Sequence, residues 1–310
     1  MRKAGLTAMT CALLLAMAGG RALAQQGLGE PVLKEGSAKK ISPHVFEIVG
    51  FPNIFFVIGS KATLVVDTGL GARNGAILAR EAARLSPKGA KFYLTTTHYH
   101  PEHASGQGGF PAGYTVIRNR AQQAELEADG PRMNVRFSGF TPEIKDLLQG
   151  AVIGKADVLY DSDYTLDLGG VKAKMMFFGT AHTLGDELIM IPEDSALISG
   201  DVVQNHLSPN VICDRCSPRQ WLLVLDKIAP LKPRLVFPDH GDIGDGALIT
   251  QEQGFLRDLQ TQAMALKAQG VSVEDASKRI SEAFAVKYSG WSGLGNVPQS
   301  VQRAYADPVG

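Results

Sequence analysis

The sequence predicts an α/β fold built as a four-layer sandwich, in which helices cover the outer faces of two packed β-sheets within a single domain. Two observations lead to this prediction. The chain contains two β-rich halves that each carry amphipathic helices, and in both halves the strand-like runs end in residues that commonly bind metals. No stretch between the halves has the composition of a linker, so one domain with four layers is the simplest arrangement that buries both sheets.

The composition is that of an ordinary soluble globular protein. Of the 310 residues, 45% are hydrophobic and 20% are charged, and the 31 basic residues balance the 31 acidic ones. A chain without net charge lacks the basic excess expected of a protein that binds nucleic acid or an anionic membrane surface. We therefore expect a small-molecule substrate as the partner, while the sequence makes no statement about the oligomeric state.

The first residues have the pattern of a bacterial signal peptide. Arg2 and Lys3 precede the apolar run 11–18, and small residues then fit a cleavage site after Ala24. The run is too short to remain as a membrane-spanning helix, so we expect no membrane attachment after cleavage; an uncleaved anchor is the alternative. We predict that residues 1–24 are removed and that the protein is periplasmic or secreted.

The first half begins with strands. Residues 25–41 are polar and rich in glycine, which predicts a loose lead-in segment. Alternating or apolar runs predict strands at 45–49, 53–58 and 62–66, with short turns between them. Asp67 follows the last of these strands, where it either orients a metal ligand or accepts hydrogen bonds within its own turn.

Helices and strands then alternate. Apolar spacing predicts a helix over 74–85 with Asn74 as its cap, and a second helix over 119–128. Strands are predicted at 91–96 and 114–117. Residues 129–142 show no clean period and predict a loop, which either faces the substrate or plugs the core with its three large apolar side chains, Met133, Phe137 and Phe140.

The second half repeats the β-rich pattern. Strands are predicted at 164–168 and 171–178, which pair across a turn, and at 187–191, 196–199 and 234–237. Ser217, Pro218 and Gln220 form a good helix start. The main domain is expected over 42–245, and 246–310 is expected to be a C-terminal helical extension that is helical to about residue 287 and ends in a Gly/Pro-rich tail from residue 289.

One short stretch carries the chemistry. Three histidines and a carboxylate, His98, His100, Glu102 and His103, follow directly after the predicted strand 91–96. A loop at a strand end can turn neighbouring side chains toward one point, whereas side chains within a strand alternate between faces. Imidazole and carboxylate ligands suit zinc, iron or manganese, so this loop predicts a metal site.

Three later residues extend the pattern. His182, Asp201 and His240 each come just after an apolar, strand-like run. With the first loop they offer more ligand-type side chains than one zinc ion takes, which suits two neighbouring metals bridged by a carboxylate.

These motifs, in this order, resemble those of the metallo-β-lactamase-fold hydrolase superfamily. The resemblance covers roughly residues 42–245 and implies the metal ligands. It assigns His98, His100 and His182 to a first metal, and Glu102, His103 and His240 to a second, with Asp201 as the bridge. An acidic bridge is usual in the glyoxalase-II-like, lactonase-like and phosphodiesterase-like members, whereas true β-lactamases commonly have Cys or Ser there.

Glu102 departs from the family pattern, which has Asp at this place. Its extra methylene leaves three alternatives open: Glu102 binds the second metal, leaves that site weak in a mainly mononuclear enzyme, or accepts a proton without binding metal. Asp186 and His206 are candidates for supporting or substrate-binding roles, or are ordinary loop residues.

Cys213 and Cys216 remain after the signal peptide is removed. In an oxidising compartment we expect this pair to form a local disulfide; a redox pair and half of a zinc site are the alternatives.

The resemblance implies an exported, zinc-dependent hydrolase. Metal-bound hydroxide would act on a small ester, lactone, thioester or β-lactam-type substrate, with Glu102 and Asp201 as the catalytic carboxylates. We expect one or two Zn²⁺ ions per chain, with iron possible. The alternatives are a mononuclear iron oxidoreductase of the sulfur dioxygenase type, and a periplasmic metal-binding accessory protein without turnover.

Overall fold

The computed structural model describes residues 29–307, so the predicted signal peptide lies outside the described residues. The described chain contains two β-sheets. The first has seven strands that neighbour one another in chain order. They are β1 (Lys39–Lys40), β2 (Val45–Ile48), β3 (Ile54–Ile58), β4 (Ala62–Val66), β5 (Lys91–Thr95), β6 (Tyr114–Asn119) and β7 (Val158–Tyr160).

The second sheet has five strands, again in chain order from one edge to the other. They are β8 (Asp163–Asp167), β9 (Lys172–Met176), β10 (Leu188–Ile191), β11 (Ala196–Gly200) and β12 (Leu235–Pro238). The helices are α1 (Gly71–Leu85), α2 (Pro101–Ala104), α3 (Arg120–Ser138), α4 (Pro142–Leu147), α5 (Pro218–Ile228), α6 (Ala247–Ala268), α7 (Val273–Lys287) and α8 (Val297–Ala306).

Strand direction brings the loops that carry polar residues together. Strands β1 to β4 pair antiparallel, while β4 to β7 pair parallel. In the second sheet only β11 and β12 pair parallel. Because parallel strands end at the same edge of a sheet, Asp67 and the loop that starts at Thr96 lie side by side, and so do Asp201 and His240.

The main core lies between the two sheets. Leu64 on β4 and Ile198 on β11 belong to one buried cluster, in which the rings of Phe55 and Phe237 stack with centroids 5.8 Å apart. Strand β4 is buried along its whole length because both of its faces are covered. Val65, the residue after Leu64, points to the opposite face of the sheet, as the two-residue period of a strand requires.

Helices cover the outer face of each sheet. Helix α1 packs Leu78 against the first sheet, where Val65 and Leu94 lie in the same cluster. Helices α5 and α6 cover the second sheet, and Trp221 is fully buried there beside Val236. Burial of a large apolar side chain contributes roughly 2 kcal/mol or more to stability. The predicted fold class, a four-layer α/β sandwich, is confirmed.

Two helices differ from their predicted bounds. Helix α1 begins at Gly71 rather than Asn74. The Asn74 side chain instead accepts a hydrogen bond from the Leu33 backbone N–H and donates one to the carbonyl of Pro31, so it anchors the lead-in segment. Helix α3 starts as predicted, with Asn119 as its N-cap, but continues to Ser138.

The prediction of an irregular loop over 129–142 is therefore wrong for most of its length. Met133 and Phe137 lie one turn apart on α3 and are both buried in a cluster with Leu126. Gly130 lets the side chain of Ile153 approach closely, since a Cβ there would lie 2.8 Å from its Cδ1. Packing of this face outweighs the helix-breaking character of the Gly130–Pro131 pair.

The C-terminal segment forms a helical unit with its own apolar cluster. Phe255 on α6, Phe284 on α7 and Val301 on α8 meet in it, and helix α8 lies within the region predicted as a Gly/Pro-rich tail. Within residues 29–307, no helix combines the length and apolar character needed to cross a membrane.

Candidate metal centre

The loop after β5 turns sharply into the short helix α2. The helix begins at Pro101, directly after His100, whose backbone is extended. The N–H groups of His103 and Ala104 both donate to the His100 carbonyl. The His103 carbonyl in turn accepts hydrogen bonds from the backbone and hydroxyl of Thr68. This turn presents His98 and His100 on the loop and Glu102 and His103 on the helix, all of them buried.

The second sheet supplies the other candidate ligands from three loops. His182 lies in the loop between β9 and β10, Asp201 directly follows β11, and His240 lies two residues after β12. The structure brings all seven candidate residues together: six of them form two groups within metal-binding reach, and Asp201 lies between these groups and forms a third with His98, His103 and Asp239.

His98, His100 and His182 form the first group. His100 Nδ1 lies 3.0 Å from His98 Nε2 and 3.1 Å from His182 Nε2. Ligand atoms of a tetrahedral zinc with bonds of 2.0–2.1 Å are about 3.3 Å apart, so this spacing fits one metal. Burial, followed by the neighbouring imidazoles, lowers the pKa of His98 and of His100 well below the ordinary value, which favours the neutral form that binds metal.

Glu102, His103 and His240 form the second group. Glu102 Oε1 lies 3.7 Å from His103 Nε2. Glu102 Oε2 and His103 Nε2 are both buried, and neither has a hydrogen-bond partner among the described residues. A buried polar atom without a partner is costly, and a shared cation would satisfy both atoms.

Asp201 lies between the two groups. Its Oδ2 is 3.4 Å from His182 Nε2 and its Oδ1 is 3.5 Å from His240 Nε2. Burial acts to raise the pKa of Asp201, but the imidazoles of His240 and His182 hold it below its ordinary range. The side-chain amide of Gln204 also donates to Oδ1, which fixes the carboxylate in place.

Glu102 differs from Asp201 in its electrostatics. Burial raises the pKa of Glu102 to about 7, while His103 acts to lower it and Asp201 to raise it. In the metal-free chain this carboxyl therefore exchanges its proton near neutral pH.

Two aspartates contact the Nδ1 side of the His103 ring. Asp67 Oδ2 lies 3.0 Å and Asp239 Oδ2 3.3 Å from His103 Nδ1, and the Thr97 hydroxyl donates to Asp239 at 2.8 Å. Asp67 also accepts a 2.7 Å hydrogen bond from the Thr97 backbone N–H. Burial opposes a proton on His103, but the two aspartates raise its pKa well above the ordinary value.

Asp67 therefore contacts a candidate ligand, as the first alternative expected, and its side chain accepts hydrogen bonds from Thr97 in the neighbouring loop rather than from its own turn. Sequence reasoning missed Asp239. The signal that could have found it is an acidic residue directly beside the last histidine, at the end of a strand.

The two other hypothesised residues have different surroundings. Asp186 accepts hydrogen bonds from the Thr183 backbone and hydroxyl, so it shapes the loop that carries His182. Burial raises the pKa of Asp186 to about 8, although Thr183 acts to lower it. His206 is exposed, and its ring packs against Trp291 at 5.6 Å rather than against the candidate ligands.

Cys213 and Cys216 are joined by a disulfide, in a loop that supports His182. His182 Nδ1 contacts the Asn210 carbonyl at 3.0 Å, three residues ahead of Cys213. The Cys216 sulfur lies 3.6 Å from the His182 carbonyl.

A cavity of about 640 Å³ opens onto the candidate ligands. Its walls combine apolar and polar side chains, and they include residues from the C-terminal helical unit as well as from the main sandwich. The apolar lining residues are Phe51, Phe137, Phe140, Leu207, Ile212 and Leu294. Such a cavity suits an organic molecule more than a bare ion.

Comparison with known proteins identifies the family. The family model of the Metallo-beta-lactamase superfamily matches residues 48–240, which include every candidate ligand. This chain belongs to the metallo-β-lactamase superfamily. It is therefore an enzyme of the metal-dependent hydrolase type, and the predicted resemblance is confirmed. A search of curated proteins gives no match to this sequence.

Solved structures of this superfamily share the fold. A metallo-beta-lactamase from Pontibacter korlensis is 19% identical, with 73% of this chain and 99% of that chain covered and a TM-score of 0.59. DIM-1 metallo-beta-lactamase is 16% identical, with 73% and 99% covered and a TM-score of 0.57. The sec-alkylsulfatase Pisa1 from Pseudomonas sp. is 14% identical, with 88% and 50% covered and a TM-score of 0.65. At these identities the similarity shows the fold alone.

Proposed function

We propose that this superfamily member is an exported, zinc-dependent hydrolase of small esters, lactones, thioesters or β-lactam-type amides. The observation that supports this most is the arrangement of two ligand groups with Asp201 between them, in a cavity with six apolar side chains in its wall. His98, His100 and His182 would hold one metal. Glu102, His103 and His240 would hold a second metal, with Asp201 shared between the two.

Metals bound there would supply a Lewis acid and lower the pKa of a coordinated water to about 7. The residues of the chain then have separate tasks. Asp67 and Asp239 hold the His103 ring so that its Nε2 faces the site. The apolar side chains of the cavity wall would position the substrate's organic part.

Glu102 is the proposed proton carrier of the site. Its carboxyl has a pKa of about 7, and its Oε2 is buried without a protein partner among residues 29–307. Where Glu102 binds no metal, a carboxyl with these properties can accept a proton from the attacking water or pass it to the leaving group. Whether Glu102 also binds a metal decides between a dinuclear and a mononuclear enzyme.

Export is supported by two features of the chain. Arg2, Lys3 and the following apolar run have the pattern of a signal peptide, and the disulfide between Cys213 and Cys216 suits an oxidising compartment. The mass of the mature protein isolated from the periplasm tests this directly, because cleavage after Ala24 leaves Gln25 as the first residue.

Metal content and turnover test the function together. The purified protein is analysed for elements and assayed on esters, lactones, thioesters and β-lactams. The variant His182→Ala should lose metal. Its kcat/KM should fall by more than roughly ten- to hundredfold, because the loss of a residue that only supports a metal ligand already costs that much in metal affinity or activity. His44→Ala is the matched control, since His44 pairs with Asp194 outside the site.

The outcomes separate the alternatives. Zinc with hydrolysis that depends on His182 supports the proposal. One iron per chain with oxygen consumption would favour the sulfur dioxygenase-like alternative. Bound metal without turnover of any substrate in the panel would favour an accessory protein.

A further inference from the structure

Two cavities meet beside Arg136. The active-site cavity of about 640 Å³ and a neighbouring cavity of about 1020 Å³ share Arg136 and Ile212 in their linings. Arg136 lies on helix α3 directly before Phe137, and its side chain is exposed at the opening. A molecule bound in the active site can therefore reach the Arg136 guanidinium while the guanidinium stays exposed to solvent.

The charge of Arg136 has no protein partner in the described part of the chain. One turn earlier on the same helix, Arg132 pairs with Asp129, and Arg303 across the neighbouring cavity pairs with Asp214. No described carboxylate forms such a pair with Arg136. Apart from the candidate metal ligands, it is also the only charged residue among those described that lines the active-site cavity.

The surroundings of Arg136 combine apolar surface with an unused polar atom. Phe137 and Phe140 pack against each other with ring centroids 4.6 Å apart, and the Phe137 ring lies 6.1 Å from that of His100. The hydroxyl of Ser208, which is 2% exposed, has no hydrogen-bond partner among the described residues. Ser208 lines the same cavity.

We propose that Arg136 forms a subsite for an anionic group of the substrate, with Phe137 and Phe140 holding the adjoining apolar part and Ser208 donating to a substrate oxygen. The ligand class is an organic oxyanion, a carboxylate or a sulfate-type group attached to a hydrocarbon chain or ring. A guanidinium presents a planar pair of N–H donors that matches such an oxyanion. This proposal rests on the proposed function, because it concerns the substrate of the same site.

A binding experiment tests the subsite without requiring turnover. Hexane-1-sulfonate and hexan-1-ol are titrated into the metal-loaded protein by calorimetry. The two probes share an apolar chain, and a sulfonate is a poor zinc ligand, so the difference between them reports on the guanidinium. Arg136→Gln should weaken sulfonate binding about tenfold and leave the alcohol unchanged.

Arg132→Gln is the matched control, since it removes the same charge from the same helix one turn away. It should leave sulfonate binding within about twofold, because the Arg132 charge is already paired at the surface. An equal loss in both variants would show a general field effect and overturn the proposal. An unchanged affinity in Arg136→Gln, or an equal loss of the alcohol, would overturn it too.

Turnover of a matched ester pair gives the second measurement. Mono-4-nitrophenyl glutarate and 4-nitrophenyl pentanoate share a leaving group and differ in the terminal charge. The ratio of their kcat/KM values should fall about tenfold in Arg136→Gln and stay unchanged in Arg132→Gln. Sulfonate binding that depends on Arg136, in a protein that hydrolyses nothing in the panel, would support the subsite and contradict the proposed hydrolase.

Discussion

The extra methylene of Glu102 is expected to affect how many metals the site binds. Its carboxylate already lies beside His103, and its Oε2 is free of partners among the described residues. We expect Glu102→Asp to keep or raise the occupancy of the second metal, because it retains the charge and restores the residue usual in the superfamily. Glu102→Gln should lose about one metal per chain, since a neutral amide is a poor ligand for zinc.

Elemental analysis of the purified variants measures this. Glu47→Gln is a suitable control, because burial also raises the pKa of Glu47 to about 7 and the residue belongs to none of the ligand groups. If Glu102→Asp lost both metals, the loop would have to be built specifically for glutamate.

Asp67 is expected to tune the second metal through His103. A carboxylate that accepts from the far nitrogen of a metal-binding histidine orients the ring and increases its basicity. Asp67 has a positive φ of 71°, which asparagine also tolerates, so Asp67→Asn changes the charge without straining the turn. Metal affinity, measured by competition with a chelator, should fall roughly ten- to hundredfold.

The exposed Asp163→Asn should leave that affinity unchanged. An Asp67→Asn protein that bound metal as tightly as the wild type would reduce the role of Asp67 to turn formation.

At the scale of elements, the segment after α7 forms part of the active-site wall. Its Ser292 exchanges backbone hydrogen bonds with His206 and Ser208, at 2.8 and 2.9 Å, and so holds Leu294 beside the cavity. Gly293 has a φ of 72°, and a Cβ there would lie 2.9 Å from Leu207 Cδ1.

Gly293→Ala should therefore lower the free energy of unfolding by about 1–2 kcal/mol and raise KM, because the left-handed backbone and the contact with Leu207 both oppose a side chain. Urea denaturation and steady-state kinetics measure the two effects. Gly290→Ala is the control, since its Cβ would meet nothing within 4 Å. A normal KM with reduced stability would show that the segment does not shape the substrate cavity.

The same elements show what the sequence can and cannot predict. Strand ends and ligand types are local features, so the layers of the fold and the convergence of residues such as His182 and His240 could be expected from the chain alone. The extension of α3 beyond Gly130 and Pro131 could not, because it depends on the packing of Met133 and Phe137. The position of Leu294 in the wall of the active-site cavity could not be predicted either, because it depends on contacts between distant segments.

At the scale of the whole molecule, several buried acids are not among the candidate metal ligands. Glu187 is the clearest, since its carboxylate accepts hydrogen bonds from Thr95 at 2.6 Å and from Tyr160 at 2.5 Å. Burial raises its pKa to about 8, although these two hydroxyls act to lower it. In the unfolded chain a glutamate loses its proton near pH 4.3, a typical value.

Between about pH 5 and about pH 8, the folded protein therefore holds a proton on Glu187 that the unfolded chain has already lost. Stability is then greatest at the acidic end of this window and falls as pH rises through the folded-state pKa. The free energy of unfolding of the metal-free protein should decrease by up to about 1.4 kcal/mol per pH unit for each such proton. Asp186, with a pKa of about 8, adds to the same trend.

Glu187→Gln separates this contribution from the rest of the molecule. The amide resembles the protonated carboxyl, so the variant should be closest to wild type near pH 5 and increasingly more stable than wild type up to about pH 8, which removes about one proton from the slope. Urea denaturation of metal-free protein at several pH values measures the slope, and the exposed Glu274→Gln should leave it unchanged. A variant slope equal to that of wild type would mean that Glu187 is ionised in the folded protein, with its charge held by Thr95, Tyr160 and the buried Arg118.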